Sequence, residues 1–245
     1  MDLFNQHGIS VIAHRGYSGK YPENTLLSFE KAIEIGADYI ELDVHRTADG
    51  KIIVIHDAWT ARVAEISINV ESANWEQIQK VNLRMDQKIP LLEEVFTLCK
   101  GKIGVQIEIK QPGLAKDVYD LIMKQGMKKE VFISSFKHSN LSAMKAIDNE
   151  IPIATLEPSM KGWFSALFSQ SAFIQNAKKY NADAIHPFYR MISKRLMKWA
   201  KENNIKINAW TVDSPHIWEK LIEKGVSGII TNQPENLIKY LKAKH

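Results

Sequence analysis

The sequence predicts an α/β fold, a (β/α)8 TIM barrel with a small insertion after its second strand, at about residues 45–88. Three observations carry this reading. From residue 9 onward, short β-branched runs alternate with amphipathic stretches of helical period. Nine candidate strands can be counted; eight keep a strand-helix rhythm, and the odd one, residues 51–55, follows its predecessor through Asp49-Gly50, a turn signal. Residues able to do chemistry fall late in their runs, and a parallel barrel carries its active site at the C-terminal strand ends. Strand-helix repeats imply parallel pairing with right-handed crossovers, and eight of them can close on themselves. The competing open doubly wound sheet lacks support, because no GxGxxG follows a strand.

The first strand, residues 9–14, ends in His14-Arg15-Gly16 and leads through Pro22 to a helix with Leu26, Phe29 and Ile33 on one side, stopped at Gly36. The second strand starts at Tyr39 and carries Glu41 and Asp43; after the turn, residues 51–55 run into His56-Asp57. Helix 91–100 precedes strand 103–109, and helix 114–124 precedes strand 131–134. Helix 140–147 leads to strand 153–156, and helix 172–180 to strand 184–186. Helix 194–202, strand 206–212, helix 216–224 and strand 228–231 follow, and a last helix starts at Pro234, where proline suits a first turn. No linker rich in Gly, Ser or Pro divides the 245 residues, so a single domain is expected.

Composition narrows the function classes. The chain is 45% hydrophobic and 24% charged, ordinary for a globular core, and the net charge of +4 is dispersed. That mild excess suits an anionic small molecule and gives no footprint for nucleic acid. The one cysteine, Cys99, shares helical spacing with Leu92, Val95 and Phe96 and reads as a core thiol. The N-terminus lacks the basic start and apolar core of a secretion signal, and no run approaches the roughly 18 apolar residues of a membrane span. A cytoplasmic protein without stable membrane insertion is expected; oligomerisation is left open.

Glu41 and Asp43 stand two apart on one strand face, so both project to the same side while Ile40, Leu42 and Val44 turn to the helices. With Glu108 from a further strand end they offer three hard oxygen ligands and no thiolate, which favours Mg²⁺ or Ca²⁺. A plain solvated strand face is the alternative for the pair alone. His14 and His56 end different strands beside charged neighbours and form a candidate acid-base pair. Arg15 and Lys110 are candidate phosphoryl ligands, or ion-pair partners of the carboxylates, or both. His186 and Trp210 read as pocket lining, Trp210 equally as core. His45, Arg46 and Arg62 are expected at the surface or in the insertion. The aromatic stretch 163–168, WFSALF, reads as a lid, a lipid-facing patch or a helix packed on the barrel.

The run HRGYSGKYPENTLLSFEKAIEIGADYIELDVHRTADGKIIVIHD, with QIEIK at 106–110, SSF at 134–136, AWTVD at 209–213 and GIITNQP at 228–234, closely resembles the glycerophosphodiester phosphodiesterase family over nearly the whole chain. The resemblance implies a (β/α)8 barrel with an insertion after its second strand. It also implies hydrolysis of glycerophosphodiesters to an alcohol and glycerol 3-phosphate with a divalent cation. Carried over by position, Glu41, Asp43 and Glu108 would hold the metal, and His14 and His56 would exchange protons. Arg15 and Lys110 would meet the phosphate, and Trp210 the glycerol. A lysophospholipase D or phosphoinositide-phospholipase activity, or a non-catalytic binding barrel, are the alternative readings.

Overall fold

The computed structural model of the protein describes residues 8–159 and 170–244. Its centre is a closed parallel barrel: β1 (Ser10–His14), β2 (Tyr39–Arg46), β4 (Gly104–Ile109), β5 (Val131–Ser135), β6 (Ile153–Glu157), β7 (Ala184–Pro187), β8 (Lys206–Ala209) and β9 (Gly228–Thr231) pair in ring order, with β1 joined to both β9 and β2. The strand β3 (Ile52–Val54) is the one antiparallel member, paired to the end of β2 through Val44 and Val54. The (β/α)8 reading therefore holds, including the single strand reached by a turn.

Period-2 alternation explains the layering. Ile40, Leu42 and Val44 of β2 face outward and are fully buried against Phe29 of α1 (Leu26–Glu34) and Leu92, Val95 and Phe96 of α3 (Leu92–Cys99). Burying such side chains stabilises the fold by roughly 1.5–3 kcal/mol each. Cys99 belongs to this core, and burial pushes its thiol up to about 12. A second shell of contacts around Trp218, Leu196 and Ile229 covers the far side of the ring. Inside the barrel, Ile12, Tyr39, Phe132, Ala154, Ala184 and Ile230 fill the lower layer.

One difference from the sequence reading has a local cause. The eighth barrel strand stops at Ala209 rather than at residue 212. Its neighbour β7 ends at Pro187, which has no N–H to extend the ladder; only an isolated bridge, Phe188 to Trp210, continues beyond it. The helix α5 (His138–Ile147) starts two residues earlier than expected.

The segment between β2 and α3 holds β3, 3-10 turns at Thr60–Arg62 and Arg84–Asp86, and the four-residue helix α2 (Trp75–Ile78). It has its own apolar cluster around Ile53, Ile55, Val70, Ile78 and Ile89. No helix among the described residues is long and apolar enough to cross a membrane. The stretch 163–168 lies outside the described residues.

Candidate active site

Strand register builds the site. His14, the last residue of β1, stands opposite Glu41 of β2, and Asp43 stands opposite Glu108 of β4. β4 occupies one edge of β2 as far as Val44, and β1 occupies the other only to Glu41, so β3 docks on the edge that β1 leaves free. The hairpin is tied at its base by Ile55 N–H donating to the Asp43 carbonyl at 3.0 Å. His56 therefore arrives where β1 has ended. A cavity of about 110 Å³ results, lined by His14, Arg15, Glu41, His56, Gln106, Glu108, Phe136 and Trp210 among others. A wider cleft of about 480 Å³ lies on the insertion between Arg62 and Arg84, but it gathers no carboxylate cluster.

Glu41, Asp43 and Glu108 are all buried, and each offers an oxygen within 4.8 Å of the others. Asn24, in a left-handed backbone conformation, donates from Nδ2 to Asp43 Oδ2 at 2.9 Å. Arg15 Nε lies 3.4 Å from the same oxygen, and Lys110 Nζ lies 2.8 Å from Glu108 and 3.4 Å from Asp43. Burial raises Glu41 well above the usual carboxylate range, reinforced by the charges of Asp43 and Glu108. Burial and Asp43 likewise push Glu108 up to about 7. Burial opposes the ionised form of Asp43 too, yet Lys110, Arg15 and His56 hold it below its ordinary range. Three crowded carboxylates that two cations do not fully offset, with Asp43 Oδ1 left without a hydrogen-bond donor, make a site that could hold a metal ion.

Both histidines present the same nitrogen. Asn232 donates from Nδ2 to Asp213 Oδ2 at 2.7 Å, so its oxygen faces His14, whose Nδ1–H donates to it at 2.7 Å. His56 Nδ1 is 2.7 Å from Asp57 Oδ1, a carboxylate that can only accept. Each imidazole thus keeps its proton on Nδ1 and leaves Nε2 free; that of His14 is 3.9 Å from Glu41. Burial, aided by the neighbouring Arg15 charge, brings His14 down to about 4. Burial lowers His56 as well, against the pull of Asp43 and Asp57 toward the charged form.

Two expectations change, those for His186 and His45. His186 does not line the pocket: it is fully buried inside the barrel, 3.2 Å from Gln106 Nε2 and 3.0 Å from Asn208 Nδ2, and desolvation lowers it to about 3. His45 is not a surface residue. It shares the parity of Glu41 and Asp43, is 4% exposed, and sets Nδ1 2.9 Å from Glu71 and Nε2 3.1 Å from the His56 carbonyl. Arg62 lies in the insertion as expected, half-exposed and tied to Glu23 and Asp57. Lys110 takes the ion-pair place expected for it, on Glu108 and Asp43. Arg46 does lie toward solvent, paired with Asp117. Trp210 does line the cavity; its Nε1–H donates to the His186 carbonyl at 2.7 Å, and Phe136 meets it edge-on at 5.4 Å. Asn24, Asn232 and Phe136 belong to the site but stood out in no strand pattern, whereas Gln106 shares the face of Glu108 on β4 and alternation could have flagged it.

Comparison with known proteins agrees with this geometry. The sequence profile of the glycerophosphoryl diester phosphodiesterase family matches residues 14–236. A glycerophosphodiester phosphodiesterase of Caldanaerobacter subterraneus subsp. tengcongensis is 36% identical over 247 aligned residues, covering 95% of this chain and 97% of that one. The crystal structure of a glycerophosphodiester phosphodiesterase from Thermotoga maritima is 29% identical with a TM-score of 0.81, covering 96% and 99% of the two chains. A phosphodiesterase of Oleispira antarctica in complex with the product sn-glycerol-3-phosphate has the same fold, with a TM-score of 0.84 at 21% identity, covering 95% and 96%. The chain belongs to the glycerophosphoryl diester phosphodiesterase family, a family of hydrolases that act on glycerophosphodiesters.

Proposed function

We propose that this phosphodiesterase cleaves a glycerophosphodiester to an alcohol and sn-glycerol 3-phosphate, with one divalent cation, Mg²⁺ or Ca²⁺, held by Glu41, Asp43 and Glu108. The observation that carries the reading is a buried three-carboxylate cluster, two of whose members line one small cavity together with His14 and His56. When bound, the cation supplies charge neutralisation for the phosphoryl oxygens and offsets the repulsion among the three carboxylates.

The rest is done by side chains. Arg15 reaches the cavity wall and pairs with a phosphoryl oxygen, while Lys110 contributes its charge from behind the carboxylates. His14, neutral at physiological pH because burial disfavours its charged form, takes the proton from the attacking hydroxyl at Nε2. The oxygen of that hydroxyl bonds to phosphorus as the bond from phosphorus to the leaving alcohol oxygen breaks. Where water supplies the hydroxyl the product is glycerol 3-phosphate; where the neighbouring glycerol hydroxyl does, water then opens the cyclic phosphate to the same product. His56 acts in its imidazolium form, which Asp57 at Nδ1 and Asp43 favour against burial, and gives the leaving oxygen the proton on Nε2. Trp210 and Phe136 offer apolar faces to the glycerol carbons. The substrate is a small molecule, and support for its class comes from the relatives' names and from the glycerol-3-phosphate complex of the Oleispira antarctica protein.

Phosphorus-31 NMR of glycerophosphocholine incubated with the protein tests this reading. Glycerol 3-phosphate appearing with added divalent cation is the expected product. Phosphocholine instead, or unchanged substrate with either metal, would contradict it.

A further inference from the structure

We propose that Arg62, delivered by the insertion, is a positioning residue for the reaction: one guanidinium staples the loop that carries His56 to the loop that carries Arg15. The inference rests on the phosphodiesterase reading of the cavity. Arg62 Nε donates to Asp57 Oδ2 at 2.5 Å, and the other oxygen of Asp57 holds His56 Nδ1 at 2.7 Å. Arg62 Nη1 and Nη2 fork onto Glu23 at 2.7 and 2.8 Å, and Glu23 Oε1 also accepts from Arg15 Nη1 at 2.9 Å. A continuous chain, His56–Asp57–Arg62–Glu23–Arg15, therefore runs around the rim and sets two of the cavity's groups at once.

The presenting turn is firm. Thr60, at the start of the 3-10 turn, is fully buried, donates its N–H to the Ile68 carbonyl at 3.0 Å and accepts from Ile68 N–H on Oγ1 at 2.9 Å. The Arg62 side chain is 46% exposed and that of Asp57 36%, so the pairing contributes little to stability. Its value lies in geometry: a planar fork meets one carboxylate with two donors while its Nε meets another, which a lysine cannot do. Small misplacements of reacting groups cost rate far more than they cost stability.

Steady-state kinetics on glycerophosphocholine, thermal unfolding and proton NMR of Arg62→Ala, Arg62→Lys and a control, Arg84→Ala, decide the matter. We expect Arg62→Ala to lose kcat by about tenfold or more while its Tm stays within about 2 °C of wild type. Methylguanidinium is expected to restore a large part of that loss, Arg62→Lys to fall between, and Arg84→Ala to match wild type. A downfield Nδ1 proton of His56, identified by its absence in His56→Gln, is expected in wild type and lost in Arg62→Ala. A kcat for Arg62→Ala equal to wild type, a loss that methylguanidinium does not restore, or a His56 proton unchanged by the substitution would overturn the proposal. Should wild type release no glycerol 3-phosphate, the phosphodiesterase reading fails by itself, and the His56 proton still decides the role of Arg62.

Discussion

His14 and His56 reach the cavity through the same nitrogen, yet their surroundings push them to different tasks. Burial lowers both, but His14 has an amide behind it and comes down to about 4, whereas His56 has a carboxylate behind it that pulls toward the charged form. Replacing either by alanine is expected to cost on the order of 10²–10⁴ in kcat on glycerophosphocholine. A p-nitrophenyl ester of glycerol phosphate separates them, because nitrophenolate leaves without a proton. His56→Ala should recover most of its rate on that substrate and His14→Ala should not; equal recovery by both would contradict the assignment. The pH profile follows the same logic. His14 works when neutral and its affinity is depressed, so activity is present above its pKa and lost as pH falls, placing the acid limb of kcat/KM below the ordinary 6.5. Among single residues, the three carboxylates were legible because alternation along β2 and β4 fixes which way they point, and the two histidines because each closes a strand run. Arg62 and Asn232 were not. Their partners are Glu23, 39 positions away, and His14, 218 positions away, and nothing local announces either contact.

At the scale of elements, the site depends on how β1 hands over to α1. Gly16 takes φ of +77°, and a Cβ there would lie 2.4 Å from Ser28 Oγ and 2.8 Å from the Ser28 backbone carbon. Ser28 in turn donates from Oγ to the Arg15 carbonyl at 3.1 Å, so the first turn of α1 seats the loop that carries Arg15. Thr25 and Ser28 close a capping box on the same helix. Thr25→Ala should cost about 1 kcal/mol, a fall in Tm of roughly 2–4 °C, with kcat nearly unchanged. Gly16→Ala should lower Tm and also kcat, since the added methyl displaces Arg15. If Gly16→Ala lost stability alone, the loop would not be what places the guanidinium. Element types were legible from period and turn chemistry, and most boundaries fell within two residues. The insertion was not, beyond its existence: its apolar cluster is assembled from short irregular pieces that carry neither period.

At the scale of the whole molecule, the barrel brings residues from β1, β2, β4 and the segments after β3 and β8 to one end, around a small cavity. The eight-fold strand-helix rhythm made this architecture readable, and a site at the C-terminal strand ends followed from it. What rhythm could not reveal is the depth of each side chain. The strands of His14 and His186 both end at the histidine in the sequence reading, but His186 is sealed among Gln106, Asn208 and Phe132 inside the ring. The central claim is that the carboxylate cluster and the two histidines form one metal-loaded hydrolytic centre. Release of glycerol 3-phosphate from glycerophosphocholine, by wild type and by His14→Ala, with Mg²⁺, with Ca²⁺ and with chelator, tests it most directly. Release that requires one of the cations, stops with chelator and is abolished in His14→Ala is the predicted result. Release that persists in chelator, or in His14→Ala at the wild-type rate, would contradict it.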